Sequence, residues 1–159
     1  CYTAAMRILQ FRFNSSAELT RKLERKGFER GVVDTTIERL REEKWIDDDR
    51  FAGAWVRSRA LKRLGPHRIR QELRAAGVDD ADASHAIAAN LPAEQQRAQV
   101  EALCTKKFRA LVRRNGDEYA ATDECRNKLT AYLLKQGYDA GLVYDVIKEM
   151  RVVDHKRDS

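Results

Sequence analysis

Apolar residues recur at the spacing of one helical turn through residues 46–78, around which the rest of the chain is organised. One apolar stripe precedes Gly65 and a second follows Pro66, so the pattern predicts one helix ending at the glycine and another beginning at the proline. Three aspartates, Asp47–Asp49, stand where carboxylates suit the free amides of a starting helix. The apolar positions are Phe51, Trp55, Val56, Ile69 and Leu73.

The residues before this stretch predict three helices. The first covers about residues 2–13. Ser15 and Glu18 have the spacing of a capping box, in which a hydroxyl and a carboxylate satisfy free amides of a new helix. The second helix therefore begins there and ends at Gly27, and the third covers about residues 31–44.

Four aromatic residues share these predicted apolar faces. Phe11 and Phe13 extend the apolar side of the first helix. Trp45 and Trp55 stand at helical spacing with other apolar groups, so we expect them to pack in the core rather than stack on nucleic-acid bases.

One six-residue pattern, a leucine, three further residues, a glycine and an apolar residue, occurs three times. Its glycines are Gly27, Gly77 and Gly137, separated by 50 and 60 residues. A glycine just past a helix can adopt a left-handed conformation, and the apolar residue after it can fold back on the leucine, as a Schellman cap requires. An isoleucine stands ten residues after each glycine, so the pattern is an internal repeat of three helices. These isoleucines are Ile37, Ile87 and Ile147.

The repeat predicts an all-α fold of three tandem three-helix repeats, stacked into an elongated body, straight or curved. Stacking is expected because one copy alone has few apolar side chains with which to form a core. The ten extra residues of the third copy fall near residues 115–122, where Asn-Gly-Asp indicates a turn. The predicted boundaries are residues 1–45, 46–92 and 93–153, followed by a frayed polar tail at 154–159.

Composition adds a partner class. The 159 residues are 43% hydrophobic and 35% charged, with a net charge of +6, which favours nucleic acid or an acidic protein surface as the partner. No apolar run approaches the ~20 residues that span a bilayer, so no membrane is expected. Cys1, Cys104 and Cys125 form no CxxC pair, which favours reduced thiols in a cytoplasmic protein. We expect a monomer, with residues missing upstream of Cys1.

Motifs of enzymes are not found in the sequence. It contains no GxGxxG, GxxxxGK[ST], HExxH or GxSxG, and its three histidines are scattered. Asp47–Asp49 point in different directions on a helix, so capping explains them better than metal binding. We therefore predict no catalytic residues, no metal and no cofactor.

Two clusters of basic residues are the remaining signal. Residues 57–74 contain seven Arg or Lys against one acid, and residues 106–114 contain five with no acid. Positive charge that so few acidic residues offset favours an anionic partner. Residues 21–30 also contain acidic residues, which weaken the positive charge, so a solvated helix face is the better interpretation there. The predicted binding residues are Arg57, Arg59, Lys62, Arg63, Arg68, Arg70, Arg74, Lys106, Lys107, Arg109, Arg113 and Arg114.

Two kinds of nucleic-acid contact are compatible with three-helix units. A helix-turn-helix would lay the third helix of a unit in the major groove, but the third helices carry acids such as Asp34, Asp80 and Asp145. Attraction of the first and second helices to phosphates, or to an acidic protein groove, is therefore favoured over reading of bases.

Residues 15–78 resemble the RecX family of regulatory proteins. The resemblance rests on Ser15 to Phe28, on Ile46-Asp47-Asp48 with Arg50-Phe51-Ala52, and on Gly65-Pro66 through Gly77-Val78. It is looser in the third copy, where the spacing of Leu129, Leu133, Gly137 and Tyr138 persists.

The resemblance implies a cytoplasmic modulator of the bacterial recombinase RecA in recombination and SOS DNA repair. Members of the family bind along the groove of the RecA–DNA filament and inhibit ATP hydrolysis and strand exchange, and some bind single- or double-stranded DNA weakly. The alternative is a non-specific DNA-binding protein that acts without RecA, and an adaptor for another acidic protein is a third possibility.

Overall fold

The computed structural model describes residues 1–155, and side chains within residues 1–150. All regular secondary structure in this part of the chain is helical, which confirms the predicted all-α fold of tandem three-helix units. The end of the predicted tail, residues 156–159, lies outside the described residues. The helices are α1 (Tyr2–Leu9), α2 (Ser16–Arg25), α3 (Arg30–Glu42), α4 (Asp48–Leu61), α5 (Pro66–Ala75), α6 (Asp80–Asn90), α7 (Ala93–Asn115), a 3₁₀ helix (Asp117–Ala121), α8 (Asp123–Gln136) and α9 (Ala140–His155).

The chain divides into two compact units. Unit 1 comprises Cys1–Ser58 and Arg70–Asn90, and unit 2 comprises Arg59–Ile69 and the chain from Leu91 onward. One cluster of unit 1 packs Leu19, Leu23, Val33, Ile37 and Leu40 together, whereas unit 2 buries Val100, Cys104, Cys125, Leu129, Leu133 and Val143. The three predicted repeat boundaries stay a prediction.

The three glycine caps predicted from the repeat are confirmed. Gly27, Gly77 and Gly137 have φ values of 87°, 84° and 96°. The amide after each glycine donates to the carbonyl of the leucine five residues earlier, over 3.3 Å from Phe28, 3.0 Å from Val78 and 3.4 Å from Tyr138. This is the Schellman arrangement.

Helix starts are capped by side chains in unit 1. The Ser15 hydroxyl accepts from the Glu18 amide over 3.0 Å, whereas the Glu18 carboxylate pairs with Arg12 over 3.3 Å instead of returning to Ser15. Asp47 accepts from the Arg50 amide over 2.9 Å and so caps α4, as predicted. Asp48 instead caps α2, since its carboxylate accepts from the Ser16 amide over 2.7 Å and from the Ser16 hydroxyl over 2.6 Å.

Three aromatic residues predicted to be buried are exposed. Helix α1 ends at Leu9, so the helical period that placed Phe11 and Phe13 on its apolar side no longer applies, and their exposed fractions are 89% and 59%. Trp45 lies after the end of α3 and is 54% exposed. Trp55 is half-buried and donates from its indole nitrogen to Glu72 over 3.1 Å.

Gly65 has a different role from the predicted helix stop. Arg63 adopts the left-handed conformation that ends α4, with φ of 56°. A Cβ on Gly65 would lie 2.3 Å from the carbonyl carbon of Gly137, so the glycine is required by a close approach of two backbones inside unit 2. There the Gly65 amide donates to Gln136 O over 2.8 Å, and the His67 amide donates to Gly137 O over 3.0 Å.

None of the helices in the described part of the chain combines the length and apolar composition that crossing a bilayer requires.

Candidate anion-binding site

The three predicted binding residues that belong to unit 1 have polar partners inside the unit. Arg74 forms an ion pair with Asp80 over 2.7 Å, which offsets its charge. Arg57 donates to Asn90 over 2.7 Å, and the half-buried Arg70 donates to Ser84 over 3.4 Å. These three predicted residues are therefore held by the fold of the unit, and Arg74 contributes less positive charge than the sequence suggests.

In unit 2 a first basic group surrounds the end of α4 and the start of α5. Lys62 and Arg63 are exposed, and neither has a carboxylate partner among the described residues. Leu61, beside them, has an exposed fraction of 86%. The group therefore combines positive charge with an exposed apolar side chain. The basic residues here are Arg59, Lys62, Arg63 and Arg68.

The backbone of this group is fixed by Tyr138. Its hydroxyl donates to the Arg63 carbonyl over 3.0 Å and lies 2.8 Å from Gln99 Oε1, so the single proton is shared between two acceptors. Gln99 in turn donates to the Ala60 carbonyl over 3.1 Å. Burial raises the pKa of Tyr138 to about 12. The end of α4 is thus held against α7 by a neutral, buried hydroxyl.

Helix α7 carries the second basic group of unit 2. Lys106, Arg109 and Arg113 follow one another by three and four residues and so share one face of the helix. All three are exposed and have no carboxylate partner within the described ranges. Arg113 and Arg114 also lie in the last turn, where cations suit the free carbonyls.

Lys107 differs from its neighbours on α7. It is half-buried, and its ammonium group lies 5.1 Å from the centre of the Tyr132 ring. This contact fixes the side chain within unit 2, so Lys107 is a weaker candidate for an external anion.

The twelve predicted residues are divided between the two units. Arg57, Arg70 and Arg74 belong to unit 1, and the other nine belong to unit 2. Sequence reasoning missed a further cation, Arg12, which lies beside the basic residues of α2 that were interpreted as a solvated face. The exposure of neighbouring Phe11 could not be read from the apolar period.

The described residues provide no group of three or more His, Cys, Asp or Glu side chains suited to a metal. Cys104 is fully buried, and burial followed by the charge of Cys125 raises the pKa of its thiol to about 11. The basic groups can attract anions electrostatically.

Two family models match the chain in order. The model described as RecX, first three-helix domain, matches residues 1–40, and the model described as RecX, second three-helix domain, matches residues 47–87.

Curated relatives cover most of the chain. The Regulatory protein RecX of Xanthomonas axonopodis pv. citri is 37% identical over 140 residues, covering 87% of this chain and 80% of that protein. That of Mycolicibacterium smegmatis is 37% identical over 145 residues, covering 89% and 74%. The Oceanobacillus iheyensis protein is 32% identical over 150 residues, and the chain spans 53% of its length.

Two solved structures have a similar fold. A crystal structure of regulatory protein RecX superposes with a TM-score of 0.78 at 25% identity, covering 93% of this chain and 70% of that one. The crystal structure of RecX from Lactobacillus salivarius has a TM-score of 0.83 at 23% identity, covering 95% and 94%, and this second likeness concerns the fold alone.

Proposed function

We propose, because the chain belongs to the RecX family of regulatory proteins, that it binds the RecA–DNA filament and inhibits RecA ATPase and strand exchange in recombination and SOS DNA repair. In this proposal it acts in the cytoplasm as a monomer, without a cofactor and without catalysing a reaction. RecA as the partner and inhibition as the effect are what the family resemblance implies.

The observation that carries the proposal is the row of Lys106, Arg109 and Arg113 on one face of α7. Three exposed cations without carboxylate partners in residues 1–150 repel one another, and a phosphate backbone or an acidic groove wall would relieve that repulsion. Lys62 and Arg63 would extend the contact from the end of α4, with Arg59 and Arg68 beside them.

The proposed mechanism is occupancy of the filament groove. A chain bound there competes with incoming duplex DNA for space, which inhibits strand exchange. It also opposes the motions of RecA subunits that accompany ATP hydrolysis. The reason is that it binds the arrangement of subunits before these motions more tightly than the arrangement after them. No bond is made or broken by the chain itself.

The test is charge reversal on α7. The variant Lys106→Glu, Arg109→Glu, Arg113→Glu is assayed for inhibition of RecA ATPase on single-stranded DNA. We expect the concentration for half-inhibition to rise at least about tenfold, which corresponds to about 1.4 kcal/mol, or about 0.5 kcal/mol for each reversed charge. These residues are preferred to Arg68, Arg70 and Arg74, because Arg74 is paired with Asp80 and Arg70 is half-buried.

A matched control makes the same change of net charge elsewhere. Arg30, Lys135 and Lys148 are exposed and have no carboxylate partner in the described part of the chain. Their triple reversal to Glu should keep at least most of the inhibition, and circular dichroism should show unchanged helicity for both variants. Equal inhibition by the two triple variants would remove this face of α7 from the mechanism.

A further inference from the structure

An exposed phenylalanine stands beside basic side chains in unit 1. The loop that follows α1 places Phe11 at 89% exposure, and Phe11 lines a groove between α1 and α2. Phe13, two residues later, is 59% exposed and has the Arg50 guanidinium 5.2 Å from the centre of its ring. We name the lining residues the α1–α2 groove: Ile8, Phe11, Arg12, Lys22, Arg25 and Lys26.

Positive charge dominates this groove. Arg12 is paired with Glu18 over 3.3 Å, and the half-buried Lys22 donates to Asn14 Oδ1 over 2.5 Å. Arg25 and Lys26 are exposed, and like Lys22 they have no carboxylate partner within residues 1–150. The adjoining groove is also lined by Arg12, Lys22 and Arg25, so these three cations face both spaces. Burial, and next the charge of Arg12, lower the pKa of Lys22, which shows that the cations lie close enough to oppose one another.

The acids near the groove cancel only part of this charge, because Glu18 pairs with Arg12 and its charge also acts on Lys22. Glu18 uses one carboxylate oxygen for Arg12, and its other oxygen is buried without a hydrogen-bond partner in the described residues. Glu24 lines the adjoining groove and not the α1–α2 groove itself. The side that carries Phe11 is therefore bordered by cations and apolar carbon alone.

From this arrangement we propose that the α1–α2 groove binds a segment of single-stranded nucleic acid. Phe11 stacks on one base, and Lys22, Arg25 and Lys26 contact the adjacent phosphates. Alternation of aromatic rings with cations is how proteins hold single strands without reading their sequence.

The exposure of Phe11 favours a single strand over the two other anionic partners. A duplex keeps the faces of its bases stacked inside, so it offers nothing to a projecting ring. An acidic peptide would need a pocket for an apolar anchor, whereas Phe11 projects into solvent. This site lies in unit 1, whereas α7 belongs to unit 2, and its test contains no RecA.

The test measures binding of the full chain to a short fluorescein-labelled oligothymidylate by fluorescence anisotropy, from about 50 to about 200 mM salt. Phe11→Ala should weaken binding about 5- to 150-fold, the range for losing one stacked base, with an unchanged salt slope. Lys22→Gln with Arg25→Gln should reduce the slope of log K against log salt by about 1.4, since each lost contact with a single strand removes about 0.7.

Three controls separate stacking from other effects. Phe11→Leu keeps apolar bulk without an aromatic face and should weaken binding as Phe11→Ala does. Tyr144→Ala removes an exposed aromatic ring from α9, where Tyr144 is 64% exposed, and should leave binding unchanged. Lys135→Gln with Lys148→Gln removes two charges from unit 2 and should leave the slope unchanged.

Several results would overturn the proposal. The proposal is wrong if the chain does not bind the oligothymidylate at low salt, or if Phe11→Ala or Phe11→Leu keeps the wild-type affinity. It is also wrong if the salt slope is unchanged in the variant Lys22→Gln with Arg25→Gln. Equal Phe11 dependence for a hairpin duplex would exclude a single-strand site. Phe11-dependent binding of a labelled acidic peptide, without binding of oligothymidylate, would identify a protein ligand instead.

Discussion

At the scale of single residues, Gly65 leaves no room for a side chain. A Cβ there would meet the Gly137 backbone at 2.3–2.4 Å, and no flexible side chain can move aside. We predict that Gly65→Ala lowers the free energy of unfolding by about 2–4 kcal/mol, because overpacking costs about 1–3 kcal/mol and each strained backbone hydrogen bond about 1 kcal/mol. Urea unfolding followed by circular dichroism measures the change.

The control for Gly65 is Gly31, in the first turn of α3. A Cβ on Gly31 would meet no atom within 4 Å, and its φ lies outside the left-handed region. Gly31→Ala should therefore be neutral or raise the free energy of unfolding by up to about 1 kcal/mol. Equal stability of the two alanine variants would mean that the approach of Gly65 to Gly137 is not a constraint.

The two kinds of glycine show what a sequence can reveal about single residues. The role of Gly27, Gly77 and Gly137 as helix caps was predicted because the sequence pattern of a Schellman cap lies within six consecutive residues. The requirement for Gly65 depends on Gly137, 72 residues later, which no local pattern contains. Arg63 could not be predicted as the end of α4, because a left-handed arginine is unusual.

At the scale of helices, Tyr138 connects the ends of α4 and α8 to α7. It is 2% exposed, and burial raises its pKa from 10.0 to about 12. The folded protein therefore favours the neutral phenol. The resulting stability is fully present below pH 10, the unfolded value, and is lost as the pH rises through about 12.

We predict that Tyr138→Phe removes this dependence. At neutral pH the variant should be less stable by about 1–2 kcal/mol, because the Arg63 carbonyl and the Gln99 side-chain oxygen, which are partly buried, lose a donor. Between pH 10 and about 12 the wild type should lose up to about 3 kcal/mol more than the variant, so the difference narrows or reverses. Urea midpoints across alkaline pH measure it.

The exposed Tyr144 supplies the control for this measurement, since Tyr144→Phe should follow the wild-type curve at every pH. The thiol of Cys104 also has a raised pKa, but it titrates in all three proteins and cancels in the comparison. Parallel pH curves for wild type and Tyr138→Phe would show that the hydroxyl is not held neutral by the fold.

The apolar period predicted most helices but not every helix end. It extended the first helix to residue 13 because Phe11 and Phe13 continue the period, whereas α1 ends at Leu9. An apolar period counts residue types and carries no information on whether the chain is still helical. For the same reason the apolar period could not predict that Trp45 and Phe11 are exposed. The candidate site at Phe11 was therefore not predicted from the sequence.

At the scale of the whole molecule, the sequence gives a net charge of +6 but not its distribution among paired and unpaired cations. Arg74 is offset by Asp80, six residues away, and Lys107 is drawn toward Tyr132, and neither could be inferred from the count of charges. The strongest candidates for external binding are thus fewer than the twelve predicted.

Salt dependence distinguishes a filament-binding regulator from a protein that binds naked DNA alone. Phosphate contacts release counterions, so binding of this cationic chain to naked single-stranded DNA should weaken about tenfold or more between 50 and 200 mM salt. Binding to RecA filaments should weaken less, because the 86% exposed Leu61 beside Lys62 can add an apolar contact that salt does not screen. Co-sedimentation with filaments, and anisotropy with naked DNA, measure the two.

Leu61→Ala tests the source of that difference. It should weaken co-sedimentation with RecA filaments and steepen its salt dependence, while binding to naked DNA keeps its affinity and slope, since phosphates gain nothing from a leucine. Its exposure makes a loss of folding stability small, which circular dichroism would verify. Rising salt could instead weaken binding to filaments and to naked DNA in parallel, both for the wild type and for Leu61→Ala. In that case the chain acts as a non-specific DNA-binding protein without RecA, and the proposed regulatory contact is wrong.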